Sequence, residues 1–170
     1  FSCATGVAIS QEGTPRLYAL MGKMMIDVGL STYGAKDHYK RTRPFVVHRE
    51  ATCAPGDEAM LRNDGSYPSG HSAVGWGWAL VLAELVPERA DALLQRGRDF
   101  GQSRLVCDAH WQSDIDAGRV IASGTVARLH ADPVFLADLR AAGQEIANLA
   151  PIPEQDGRCA AEAAALSAVP

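Results

Sequence analysis

A chain of 170 residues, 47% apolar and 21% charged, is one domain by length, can bury a sizeable core and is too apolar for a disordered segment. Its net charge of -4 and pI near 5.7 argue against a nonspecific nucleic-acid surface. No run reaches the roughly 18 apolar residues of a membrane span.

Thr14-Pro15 reads as a helix start, an N-cap hydroxyl followed by proline at the first helical position. Leu17, Leu20, Met21, Met24 and Val28 then recur at helical spacing, with Gly29 as the expected break. A second helix is expected from about Ser31 to Arg41, stopped by Pro44. Residues 45–67 lose the pattern and carry turn chemistry at Cys53-Ala54-Pro55-Gly56-Asp57 and Asn63-Asp64-Gly65-Ser66, with a short helical turn over Asp57 to Leu61. So long a connection favours a functional loop.

Helical character resumes at about Ser69 and runs to Leu85. Gly75 and Gly77 inside it weaken an isolated helix and point to close packing. Further helices are expected from Pro87 to about Cys107, from Ala109 to His130, and from Pro133 through Ile146. No period-2 strand is evident, so the chain reads as all-α, with one helical domain over residues 1–150 and an Ala/Pro-rich tail over 151–170 that is loosely ordered unless Cys159 ties it down. The start Phe1-Ser2-Cys3 lacks the charged segment that opens a signal peptide. Cys3, Cys53, Cys107 and Cys159 form no CxxC pair. They read either as reduced buried thiols or as two disulfides, with three pairings open.

Three segments carry chemistry. Lys36 and Arg43 lie seven apart, about two helical turns, so both can face one way. Lysine offers a mobile charge and arginine a fixed fork for phosphate oxygens. Pro68-Ser69-Gly70-His71 precedes an apolar helix. Ser69 can cap it, Gly70 admits an anion close to the backbone, and His71 enters from the first turn. In the third segment, His110 and Asp114 share a helix face at i,i+4. A carboxylate on one imidazole nitrogen leaves the other free as nucleophile or base. Arg104 precedes His110 by six residues. Taken singly, these are an ordinary basic helix face, an ordinary N-cap and an ordinary i,i+4 pair. Taken together, they provide three cations, two imidazoles and a carboxylate suited to phosphoryl transfer.

The ordered set Lys36-x6-Arg43-Pro44, Pro68-Ser69-Gly70-His71 and Ser103-Arg104-x5-His110-x3-Asp114 resembles the tripartite signature of the type-2 phosphatidic acid phosphatase and vanadium haloperoxidase superfamily. The stretch Gly65-Ser66-Tyr67-Pro68-Ser69-Gly70-His71 is similar to bacterial class A nonspecific acid phosphatases in particular, with Ser72 where that class usually has threonine. Ser31-Thr32-Tyr33 and His110-Trp111-Gln112-Ser113-Asp114 extend the likeness.

The resemblance implies a helical bundle with additional helices ahead of the region that begins at Phe1. It implies an exported, periplasmic enzyme of a Gram-negative bacterium with its signal peptide removed, a setting that favours disulfides. The implied activity is hydrolysis of small phosphate monoesters with broad specificity, with phosphotransfer as a side activity. By the same likeness, His110 is the nucleophile, Asp114 orients it, and His71 is the general acid. Lys36, Arg43, Ser69, Gly70 and Arg104 hold the phosphate. No metal and no cofactor are implied, although phosphate or vanadate can occupy the pocket. Neither a nucleic acid nor a membrane partner is expected, while self-association is. Alternative readings are a vanadate-dependent haloperoxidase and a catalytically impaired phosphate-binding fragment.

Overall fold

A computed structural model describes residues 1–150 and 157–167. Its α-helices are α1 (Ser2–Thr5), α2 (Pro15–Leu30), α3 (Tyr33–Tyr39), α4 (Pro44–His48), α5 (Glu58–Leu61), α6 (Gly70–Leu85), α7 (Ala90–Val106), α8 (Gln112–Leu129), α9 (Pro133–Ala147) and α10 (Gly157–Ser167). Short 3-10 turns at Pro55–Asp57 and Pro87–Arg89 lead into α5 and α7. No strand occurs among the described residues, and the all-α expectation holds.

Helix α6 is the axis of the bundle, packed by α2, α7, α8 and α9. Its sequence is apolar nearly all round, as a helix surrounded by others must be. Leu17, Leu20 and Met24 of α2 meet Val81 and Leu82 of α6, Leu93 of α7, Val126 of α8, and Phe135, Leu139 and Ala142 of α9 in one buried cluster. The glycines do bring helices close. A Cβ on Gly75 would fall 2.6 Å from the Phe100 ring, and one on Gly77 would fall 3.1 Å from Val28.

Several boundaries differ from expectation. Helix α2 passes through Gly29 to Leu30. Thr14 sits at its N-cap, but its hydroxyl is taken up by Ser10. The α2 amides of Arg16 and Leu17 donate instead to the Glu145 carboxylate of α9, at 3.0 and 2.9 Å. A tertiary contact has replaced the local cap, and local spacing carries no sign of it. Helix α3 ends at Tyr39, because Lys40 takes a left-handed conformation (φ 42°), and does not reach Arg41. Helix α8 starts at Gln112 rather than Ala109. Residues 107–111 form a turn in which Asp108 has φ 54° and Ala109 and His110 both donate to the Arg104 carbonyl.

All four cysteines are paired, Cys3 with Cys159 and Cys53 with Cys107. The first bridge ties α10 to α1, at opposite ends of the chain. The second ties the long loop to the end of α7. Cys159 does tie down the tail, whose described part is the helix at Gly157–Ser167; residues 151–156 and 168–170 lie outside the described residues. Among the described residues no helix is long and apolar enough to cross a membrane.

Candidate active site

The three segments converge on one cavity of about 500 Å³, whose lining includes Lys36, Arg43, Gly70, His71, Arg104 and His110. Lys36 comes from α3 and Arg43 from the extended residue that caps α4. They face one way, but not because they share a helix: the chain reverses at Lys40 before Arg43 returns to the same pocket. Both are buried, at 5% and 3% exposure. Burial lowers the pKa of each, and the Asp64 carboxylate opposes that on both.

The Arg43 guanidinium is held at every nitrogen. Its Nε donates to the Leu61 and Asp64 carbonyls at 3.0 and 3.1 Å, and its Nη2 donates to the Asp64 carboxylate at 2.8 Å. Its Nη1 donates to the Ala109 carbonyl at 3.1 Å and to Nε2 of His110 at 3.0 Å. Arginine can only donate, so Nε2 of His110 is the unprotonated nitrogen and the ring proton belongs to Nδ1. Nδ1 lies 3.5 Å from Oδ2 of Asp114, at ion-pair distance but without hydrogen-bond geometry. The i,i+4 relation expected of a helix pair arises differently: His110 lies in the turn before α8, while Asp114 lies in that helix's first turn.

Asp114 is fully buried. Its Oδ2 accepts from the Trp111 amide at 2.8 Å, which closes the start of α8, and its Oδ1 accepts from Nη1 of Arg41 at 2.7 Å. Burial acts to raise its pKa. His110, the Trp111 amide and Arg41 outweigh that and hold the carboxyl below its usual range. For His110 burial dominates, with Arg43 and Lys36 adding to it, and its pKa falls to about 4 despite Asp114.

His71 sits in the first turn of α6, and its ring is accessible from the cavity. Partial desolvation by the surrounding walls, then Arg104, Arg43 and Lys36, push its pKa below the ordinary histidine value. Arg104 reaches the cavity from the last turn of α7, and its Nε is buried without a partner among the described residues. Ser69 caps α6 as expected, accepting from the Ser72 amide at 3.2 Å, but it is fully buried behind the cavity wall. Gly70, the first residue of α6, lines the cavity with its backbone.

Two polar residues here escaped the sequence reading. Arg41 reads as part of a solvated basic face, yet it is the charge partner of Asp114. Asp64 reads as a turn residue, yet its carboxylate contacts both Lys36 and Arg43. The one available signal was its position in Asn63-Asp64-Gly65, immediately ahead of the Ser-Gly-His segment.

Three cations and two imidazoles gathered on one cavity of an all-α bundle make a setting chemically suited to a phosphate-like oxyanion. The comparisons with known proteins agree. Residues 17–134 match the model of the PAP2 superfamily, and the chain belongs to that superfamily. It is 48% identical over 150 residues to a non-specific acid phosphatase of Providencia stuartii, an alignment covering 88% of this chain and 60% of that protein. It is 46% identical over 147 residues to a non-specific acid phosphatase of Salmonella typhimurium, covering 86% and 59%. An acid phosphatase of Zymomonas mobilis is 42% identical over 146 residues, covering 86% and 55%. The chain thus spans about 60% of the length of the first of these relatives.

Proposed function

We propose that this chain carries the catalytic centre of an acid phosphatase that hydrolyses small phosphate monoesters through a phosphohistidine on His110, without a metal. The observation that carries the reading is the state of His110: a neutral, buried imidazole with Asp114 beside Nδ1 and an unprotonated Nε2 facing the cavity cations. The names of the relatives support the activity, and the two disulfides favour an oxidising, extracytoplasmic setting.

In this reading the ester enters with its oxygens toward Lys36, Arg43, Arg104 and the Gly70 amide, and Arg43 turns its Nη1 hydrogen from the imidazole to a phosphoryl oxygen. His110 Nε2 attacks phosphorus. As the P–N bond forms, the bond to the ester oxygen breaks, and its electron pair leaves on that oxygen. His71 gives it a proton and the alcohol departs. Asp114 steadies the positive charge on the His110 ring. Water then attacks the phosphoenzyme and gives His71 its proton, and the P–N electrons return to His110 as phosphate leaves. An alcohol in place of water gives phosphotransfer.

Hydrolysis of p-nitrophenyl phosphate by the chain and by His110→Ala, with and without chelator, tests the reading. The expected result is turnover that survives chelation and is lost in the variant. Near-native turnover in His110→Ala refutes the nucleophile, and loss of turnover to chelator refutes metal independence.

A further inference from the structure

The cations that a phosphoryl group needs already hold an anion from the protein itself. Oδ2 of Asp64 lies 3.2 Å from Nζ of Lys36 and 2.8 Å from Nη2 of Arg43, a single oxygen bridging the two most deeply buried cations of the site. Asp64 lines the same cavity as His71, Arg104 and His110. The surrounding turn reinforces its grip: Lys36 Nζ also donates to the Gly65 carbonyl, and Arg43 Nε donates to the carbonyls of Leu61 and Asp64. Yet the Asp64 side chain remains 33% exposed, against 5% and 3% for its partners. The cations are buried in the cavity wall, whereas the carboxylate is partly open to solvent.

We propose that Asp64 is a built-in competitor of the phosphoryl group, occupying donors of Lys36 and Arg43 and giving them up when a phosphate or phosphate ester binds. This rests on the phosphatase reading of the site and adds a determinant of its anion affinity. A phosphate oxygen and a carboxylate oxygen seek the same N–H donors with the same charge. Two anions crowded on one pair of cations repel, so each molecule of substrate or product that binds does so against the Asp64 charge. The consequence is weaker retention of inorganic phosphate, and hence quicker clearance of product from a site that would otherwise hold an oxyanion tightly. Among the described residues, no other carboxylate makes an ion pair with Lys36 or Arg43.

A purely structural Asp64, needed only to align Lys36 and Arg43, predicts the opposite sign when its charge is removed. The test is calorimetric titration of inorganic phosphate into the whole chain, its Asp64→Asn variant and its Asp64→Glu variant, with Asp64→Ser used if the Asn variant does not fold. The proposal expects Asp64→Asn to bind phosphate about tenfold more tightly, a fraction of what a close charge contact gives at surface-like dielectric. It expects Asp64→Glu, which keeps the charge, to remain as weak as the wild type. Equal or weaker binding by Asp64→Asn, alongside ester hydrolysis by the wild type, overturns the proposal and leaves the phosphatase reading intact. Phosphate bound by none of the proteins, with no hydrolysis, overturns both.

Discussion

The Ser69 amide donates to the carbonyl of Asp114 at 2.9 Å. One backbone hydrogen bond thereby joins the segment that bears His71 to the segment that bears His110, although donor Ser69 and acceptor Asp114 lie 45 residues apart in the chain. The joint closes because Gly118, nearly two turns into α8, lets that helix lie on the start of α6. A Cβ there would stand 2.6 Å from the Ser69 carbonyl oxygen and 3.1 Å from Cβ of Ser72.

Gly118→Ala is therefore expected to push the two helices apart and to lower stability by about 1–3 kcal/mol, the usual cost of overpacking. The phosphatase reading adds that kcat falls more than the melting temperature alone explains, since both histidines move. Thermal melting and steady-state kinetics on one preparation check this. An unchanged kcat in a destabilised protein would show that the joint is structural only.

The pH profile follows from the two imidazoles. In the proposed mechanism His110 attacks as the neutral imidazole, and its pKa near 4 makes activity fall only below that pH. In the same proposed mechanism His71 acts as the acid only when protonated, so activity is present below its pKa and is lost as pH rises through it. That pKa is depressed, chiefly by partial desolvation and then by Arg104, Arg43 and Lys36. The alkaline limb of kcat/KM, which reports the free protein, should thus lie below the ordinary histidine value of about 6.5. A bound phosphate offsets the cations, so the corresponding limb of kcat should lie higher. Rate profiles with an aryl phosphate across pH 3 to 9 measure both, and an alkaline limb of kcat/KM well above neutrality would contradict the assignment.

Arg41→Ala removes one charge partner of the fully buried Asp114. Because Arg41 is itself partly exposed and screened, the expected stability loss is about 1 kcal/mol, below the usual range for charged hydrogen bonds. The larger effect should fall on kcat, about tenfold, as the carboxylate turns from the His110 ring. Partial rescue by Arg41→Lys would mark the charge as the active element, and indifference of kcat to Arg41→Ala would remove it from the site.

The Cys53–Cys107 bridge closes a loop of 54 residues' separation and holds cavity-lining Thr52, Ala54 and Asp57 against the end of α7. Chain entropy assigns such a loop about 4 kcal/mol. Cys53→Ser with Cys107→Ser should lower the melting temperature by about 10 °C in a chain of this size. A shift below a few degrees would mean the loop is held by other contacts.

What was legible in the chain was the motif set and the helical periodicity. Lys36, Arg43, His71, Arg104 and His110 meet on one cavity, as their types and order suggest. The local reasons were less reliable. Lys36 and Arg43 face one cavity through a left-handed reversal at Lys40, not through two turns of helix. The contacts that escaped notice are polar and long-range: Glu145 capping α2, Arg41 on Asp114, Asp64 on two cations, and the cysteine pairing. Hydrophobic period encodes which face of a helix is buried, but not which charged side chain from a distant segment will meet it.

A covalent phosphoryl bond to His110 is the step on which the proposed mechanism turns. Rapid acid-free quenching of the chain with labelled phosphate ester, followed by peptide mapping, tests it most directly. The account predicts transient label on His110, stable to base and lost in acid, and no label in His110→Ala. Steady turnover with label absent, or carried on another residue, would contradict it.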